Sequence, residues 1–68
     1  MTGWKAASAL TEGDKVKTDD GGRLRVDRVS RGFARVRHED GREEGTVFIE
    51  WGDGTWSQVG KSEEYALA

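Results

Sequence analysis

Two clusters of side chains in this 68-residue chain are suited to recognition chemistry, and one residue to acid–base work. Arg23, Arg25, Arg28, Arg31, Arg35 and Arg37 crowd a short stretch of sequence. Guanidinium groups hold phosphate or carboxylate bidentately. Phe33 and Phe48 offer faces on which unpaired bases stack. An anion-binding surface built from Arg23, Arg25, Arg28, Phe33, Arg35, Arg37 and Phe48 is therefore the first candidate. Its partner would be a nucleic acid or an acidic protein surface. The second candidate is an aromatic pocket of Trp51, Trp56 and Tyr65, with Glu50 and Asp53 nearby, suited to a cation. The same aromatics read better as the largest part of a small core, since Glu50 points to the face opposite the Trp pair. His38 is the sole imidazole. An Asp-Gly hairpin register places it opposite Glu43, and a His–carboxylate pair can orient a general base. No Ser or Thr falls beside it in that register, and a half-buried His with a carboxylate partner accounts for it. Gly60-Lys61-Ser62 ends like a phosphate-binding loop, but that motif needs Gly five residues before Gly60, where Thr55 stands. With no Cys, zinc ligands are scarce. No catalytic set, cofactor motif or metal site emerges, so a non-enzymatic role is expected.

Composition narrows the class. The chain is 34% hydrophobic and 35% charged, with ten Gly and no Pro. That describes one small domain with many tight turns and a modest core. No disulfide framework is available. No apolar run has signal-peptide or membrane-spanning length, so a cytoplasmic protein away from membranes is expected. The net charge of −2 is unevenly spread. Residues 23–42 carry seven Arg against Asp27, Glu39 and Asp40, whereas residues 43–68 carry Lys61 against six acids. Either the Arg-rich stretch forms a basic surface for an anionic partner, or neighbouring strands neutralise each other. A sequence pI near 5.3 lies far below that of a dedicated nucleic-acid binder.

The elements that would position these residues are strands. Lys15–Thr18 alternates with Val16 inward. Arg23–Ser30 alternates through Leu24 and Val26, and Val29 restores its phase only with a bulge near Asp27-Arg28. Ser30-Arg31-Gly32 reads as a tight turn. Asp40-Gly41 and Asp53-Gly54 read as two-residue type I′ turns. The first sets Glu39 opposite Arg42 and Arg37 opposite Glu44. The second sets Trp51 opposite Trp56. The core face then carries Ala34, Val36, Val47, Ile49, Trp51 and Trp56. The other face carries charges and an apolar stripe of Phe33, Phe48 and Val59. That stripe is covered by the N-terminal segment, buried by sheet curvature, or an interface with a copy or a partner. Residues 2–10 are the only helix candidate, with Trp4, Ala7 and Leu10 on one face. Tyr65 and Leu67 would seal the fold at its end.

Gly13-Asp14-Lys15-Val16 resembles the opening strand of many SH3-like small barrels. Thr46–Thr55, with Trp51 ahead of Gly54-Thr55, resembles the hairpin of Mib/Herc2-type domains and of small bacterial SH3-like domains of unknown function. Gly60 followed by Tyr65 and Leu67 resembles the closing segment of the same type. The resemblance implies an all-β, SH3-like barrel of about five antiparallel strands over residues 13–68, preceded by a helical or disordered appendage at 1–12. It also implies a binding module, such as a phage or bacterial accessory protein. A homo-oligomer assembled through Phe33, Phe48 and Val59 is the alternative.

Overall fold

Three Asp-Gly steps set the registers of the molecule. In the structure, a computed structural model describing residues 3–68, each closes a three-residue loop. Thr18 N donates to Gly22 O at 2.9 Å, His38 N to Arg42 O at 2.8 Å, and Trp51 N to Thr55 O at 2.9 Å. Gly21, Gly41 and Gly54 adopt φ of +84°, +87° and +89°, and no other residue type among the described residues has positive φ. A type I′ turn would force positive φ on the aspartate as well. The three-residue loop puts the left-handed position on glycine alone. Asp20, Asp40 and Asp53 each accept the backbone N–H two residues on, at 2.9, 3.0 and 2.9 Å. This side-chain bond stabilises the reversal.

The strands are β1 (Trp4–Ala6), β2 (Lys15–Lys17), β3 (Arg23–Arg37), β4 (Glu43–Trp51), β5 (Trp56–Gly60) and β6 (Glu64–Ala66). They are antiparallel and form a four-stranded sheet β2-β3-β4-β5 and a two-stranded sheet β1-β6. A bridge between Val16 and Leu67 joins the two. The molecule is thus all-β, as expected, but its strands lie in two sheets and do not close into one barrel.

The extra loop residue shifts both expected hairpin registers. Arg37 lies opposite Glu43, not Glu44, and Trp56 lies opposite Glu50, not Trp51. Because side chains alternate with period two, the shift sends Trp56 and Gln58 to the outer face and turns Ser57 and Val59 inward. The expected Trp51–Trp56 pair is therefore absent. The Phe33–Phe48–Val59 stripe does not form either: Val59 pairs with Val47 and packs on the core. That core joins Ala7, Leu10, Val16, Val26, Val47, Ile49 and Trp51, with Leu24, Val29, Tyr65 and Leu67 against it. Ala34 is exposed and Val36 only half-buried, so neither belongs to it.

β3 is one long bent strand, not two strands joined by a tight turn at Ser30–Gly32. It carries the expected irregularity between Val26 and Arg28 and a second between Arg31 and Arg35. Side chains hold the second bulge. The buried Thr46 hydroxyl donates to Ala34 O at 2.8 Å, and Gln58 Oε1 accepts the Phe33 N–H at 2.9 Å. Gly32 lies against both Thr46 and Gln58, where a β-carbon would collide.

The N-terminal segment is not an appendage. Residues 4–6 form β1, and Ala7–Ala9 form a single 3₁₀ turn in place of the expected helix. Ala7 and Leu10 are buried in the core, while Trp4 is 66% exposed. Nine residues are too few for a free-standing helix, and pairing with β6 satisfies the backbone instead. Lys5 also reaches Asp14 at 3.0 Å. Met1 and Thr2, the start of the expected appendage, lie outside the described residues.

Candidate functional site

The outer face of the four-stranded sheet gathers most of the first candidate set. In β3, Arg23 and Arg25 alternate with the inward-facing Leu24 and Val26. Their cross-strand partners are Lys17 and Lys15. Two pairs of like charges thus stand directly opposed, an arrangement that costs stability. Beyond the bulge at Asp27, Arg28 returns to the same face opposite Glu50, and Ser30 lies opposite Phe48. The register shift delivers Trp56 to this face, where its ring stacks on Phe48 with centroids 5.0 Å apart at 21°. Trp56 is 62% exposed. A shallow cleft of about 300 Å³ is lined by Phe48, Trp56, Arg28 and Glu50.

Further along β3, Gln58 next to Trp56's strand position holds the bulge that presents Phe33, which is 96% exposed. Arg31, Phe33, Arg35 and Lys61 line a second cleft of about 370 Å³ there. Arg31 and Arg35 lie opposite Val47 and Gly45, and the Lys61 side chain lies against Gly45, so these three cations stand on the other face of the sheet, past the end of the core. The outer face itself runs from the paired cations to the stacked aromatic pair. Arg37 does not join this track. It sits at the far hairpin, where Glu43 is 3.4 Å from Arg37 and 3.9 Å from Arg35.

Local pairing neutralises part of the basic stretch. Arg25 meets Asp27 at 2.9 Å, Arg28 meets Glu50 at 3.8 Å, and Arg42 meets Asp40 at 2.6 Å. Ion pairs as exposed as these contribute about 0–1 kcal/mol, so exchanging a carboxylate for a phosphate costs little. Arg23, Arg31, Lys15, Lys17 and Lys61 have no ion pair among the described residues.

The second candidate set is divided between two faces. Trp51 is buried, its ring meets Tyr65 edge-on at 5.6 Å, and its indole N–H donates to Ser57 Oγ at 2.9 Å. Trp56 is on the other side of the sheet. Burial and the charge of Glu63 push the Tyr65 hydroxyl above its usual pKa, so it stays protonated at neutral pH.

His38 pairs with Arg42 across its hairpin and lies 3.5 Å from Glu44, not beside Glu43. Glu44 also accepts the Ser62 hydroxyl at 2.8 Å. The Ser62 bonds, followed by the His38 neighbour, hold the Glu44 carboxyl below its usual range. A nucleophilic hydroxyl needs the imidazole next to it. Here the carboxylate stands between the two, so the trio fastens the far hairpin to the turn after β5. Among the described residues no group of three or more His, Cys, Asp or Glu is placed to hold a metal ion. No helix among them is long and apolar enough to cross a membrane.

Sequence reasoning missed Lys15, Lys17 and Trp56 as outer-face contacts. Asp19-Asp20-Gly21 carries the signal for the first two, since a three-residue loop there sets Lys17 opposite Arg23. Comparison with protein-family models, curated proteins and solved structures finds no match.

Proposed function

We propose that this protein is a non-enzymatic binding module on an SH3-like small-barrel plan, and that its outer sheet face takes an unpaired nucleic-acid strand. The observation that carries this reading is the combination on one face of the half-buried Phe48 stacked on the exposed Trp56 with the Lys15–Arg25 and Lys17–Arg23 pairs. Aromatic rings on an open sheet offer stacking to any unpaired base, at about 1–3 kcal/mol per base. The cations follow the backbone. A folded chain gains nothing from opposing like charges on its own account, and a polyanion relieves that repulsion. Arg23, Arg25 and Arg28 engage phosphates, while Arg37 contributes long-range attraction only.

The test is an amide-resolved titration with a mixed-sequence single-stranded DNA of about ten nucleotides at low and high salt. Shifts are expected on β2, β3 and the Trp56 indole. The affinity should fall with salt with a log–log slope of about −2 to −3, for three or four released counterions at about −0.7 each. Trp56→Ala should weaken binding by about tenfold, and a duplex of equal length should compete poorly. Shifts confined to an acidic peptide, or none with DNA at low salt, would overturn the nucleic-acid reading. A mass in solution that doubles through this same face would replace it with self-assembly.

A further inference from the structure

On the opposite side of the molecule, between β6 and the β2–β3 hairpin, a cleft of about 510 Å³ opens above the core. Trp4, Trp51 and Tyr65 supply its aromatic walls, and Asp19, Glu63 and Glu64 line it as well. We propose that this cleft is a binding site for an alkylated ammonium group.

Four features support it. Trp4 projects from β1, where its backbone is satisfied by pairing with Ala66, yet its ring is left 66% exposed. The Trp51 indole N–H is already bonded to Ser57 and Trp51 is 5% exposed, so it backs the cleft as a buried ring with no unmet donor. Tyr65 stands edge-on to Trp51, so the two rings meet at an angle as the walls of a corner do. Finally, three acidic residues, Asp19, Glu63 and Glu64, line the cleft with a single basic one, Lys17. Burial first, and then the charge of Glu63, raise the pKa of the Tyr65 hydroxyl, so that carboxylate acts on a wall of the cleft.

Aromatic faces attract cations through the ring quadrupole, and the attraction grows as the cation is desolvated. A plain ammonium keeps a tight hydration shell. An alkylated one sheds it easily and adds apolar contact, so an exposed Trp4 beside the Trp51–Tyr65 corner, with acidic residues lining the cleft, favours the alkylated form.

The experiment compares choline with 3,3-dimethylbutan-1-ol, the same shape with carbon in place of the charged nitrogen, in two-dimensional NMR titrations of the full chain. Sodium chloride is added to match ionic strength. Choline should shift the Trp4 and Trp51 indole N–H signals saturably and leave that of Trp56 unmoved. Its affinity should exceed that of the alcohol by at least about tenfold, the size of a partly desolvated cation–π contact. Trp4→Ala should weaken choline at least about fivefold in a chain whose other signals keep their dispersion. Glu63→Gln with Glu64→Gln should do the same without removing an aromatic wall. Equal binding of the alcohol would leave only an apolar cleft, and choline shifts that survive Trp4→Ala would place binding elsewhere; either result overturns the proposal. The oligonucleotide titration reads Trp56 and this one reads Trp4, so each succeeds or fails alone.

Discussion

Replacing Trp51 and Trp56 in turn by Ala separates the observed register from the one that the Asp-Gly steps suggest. If the two indoles faced each other on the core side, both losses would cost alike. In the structure Trp51 is 5% exposed and Trp56 is 62% exposed. Truncating a buried Trp costs about 3–5 kcal/mol, and the lost edge contact with Tyr65 adds about 0.5–1.5 kcal/mol. A chain of this length has a total stability of about 3–10 kcal/mol, so Trp51→Ala removes much or all of it. For Trp56, roughly 75 Å² of about 200 Å² is covered. At about 25 cal/mol/Å² that is worth at most ~2 kcal/mol. One kcal/mol moves the melting point of a domain this small by about 4–8 °C. Melting followed by far-UV circular dichroism should therefore fall by about 5–15 °C for Trp56→Ala. Trp51→Ala should fall by more than about 15 °C or be unfolded at room temperature. Equal losses, or a larger loss at Trp56, would refute the three-residue loop and everything placed on the outer face by it.

Gly54→Ala should cost about 1–2 kcal/mol in urea unfolding, because its φ of +89° is left-handed; a neutral result would deny that conformation. Thr46→Val keeps the shape but strips the hydroxyl from Ala34 O, and should cost about 1–3 kcal/mol for an unsatisfied carbonyl; amide signals of residues 32–35 should broaden or move, and an unmoved spectrum would reject the bulge as drawn. Folded-state pKa values of Asp14, Asp20, Glu44 and Asp53 are lowered, chiefly by hydrogen bonds from Thr11, Thr18, Ser62 and Thr55 respectively. The folded state then binds fewer protons than the unfolded one, so these groups stabilise the fold above the ordinary carboxylate range, near pH 4, and the melting point should fall as pH drops through their folded values. A melting point flat from pH 6 to pH 2.5 would contradict those bonds.

Strand identity was legible because alternation survives in short segments: Val16, Leu24 and Val26 and then Val47, Ile49 and Trp51 mark an inner face without ambiguity. Even the bulge at Asp27 was legible, since Val29 is out of phase with Val26 by one residue. Register was not, because Asp-Gly suits both a two-residue and a three-residue loop. The residue that distinguishes them is the one before Asp, which must tolerate the first helical position of the loop. Asp19, Glu39 and Gly52 all do so, and a pattern of x-Asp-Gly repeated three times in one chain was the available signal. The N-terminal segment was opaque for a different reason. Trp4, Ala7 and Leu10 have helical spacing, but β6 offers Trp4–Ala6 a backbone partner that only the tertiary structure creates.

The register error and the candidate site are linked. With a two-residue turn, Trp56 would join the core and the outer face would keep Phe33, Phe48 and Val59 as an apolar stripe fit mainly for self-association. One extra loop residue exchanges Val59 for Trp56 and Gln58. The core keeps an aliphatic residue of suitable size, and the outer face gains an exposed Trp56 stacked on Phe48 and the amide that holds Phe33 outward. The same three-residue geometry at Asp19–Gly21 aligns Lys15 and Lys17 with Arg25 and Arg23. A single choice of loop, made by glycine at the left-handed position in all three hairpins, thus removes the self-association stripe and assembles the cations and rings that an unpaired polyanion would use.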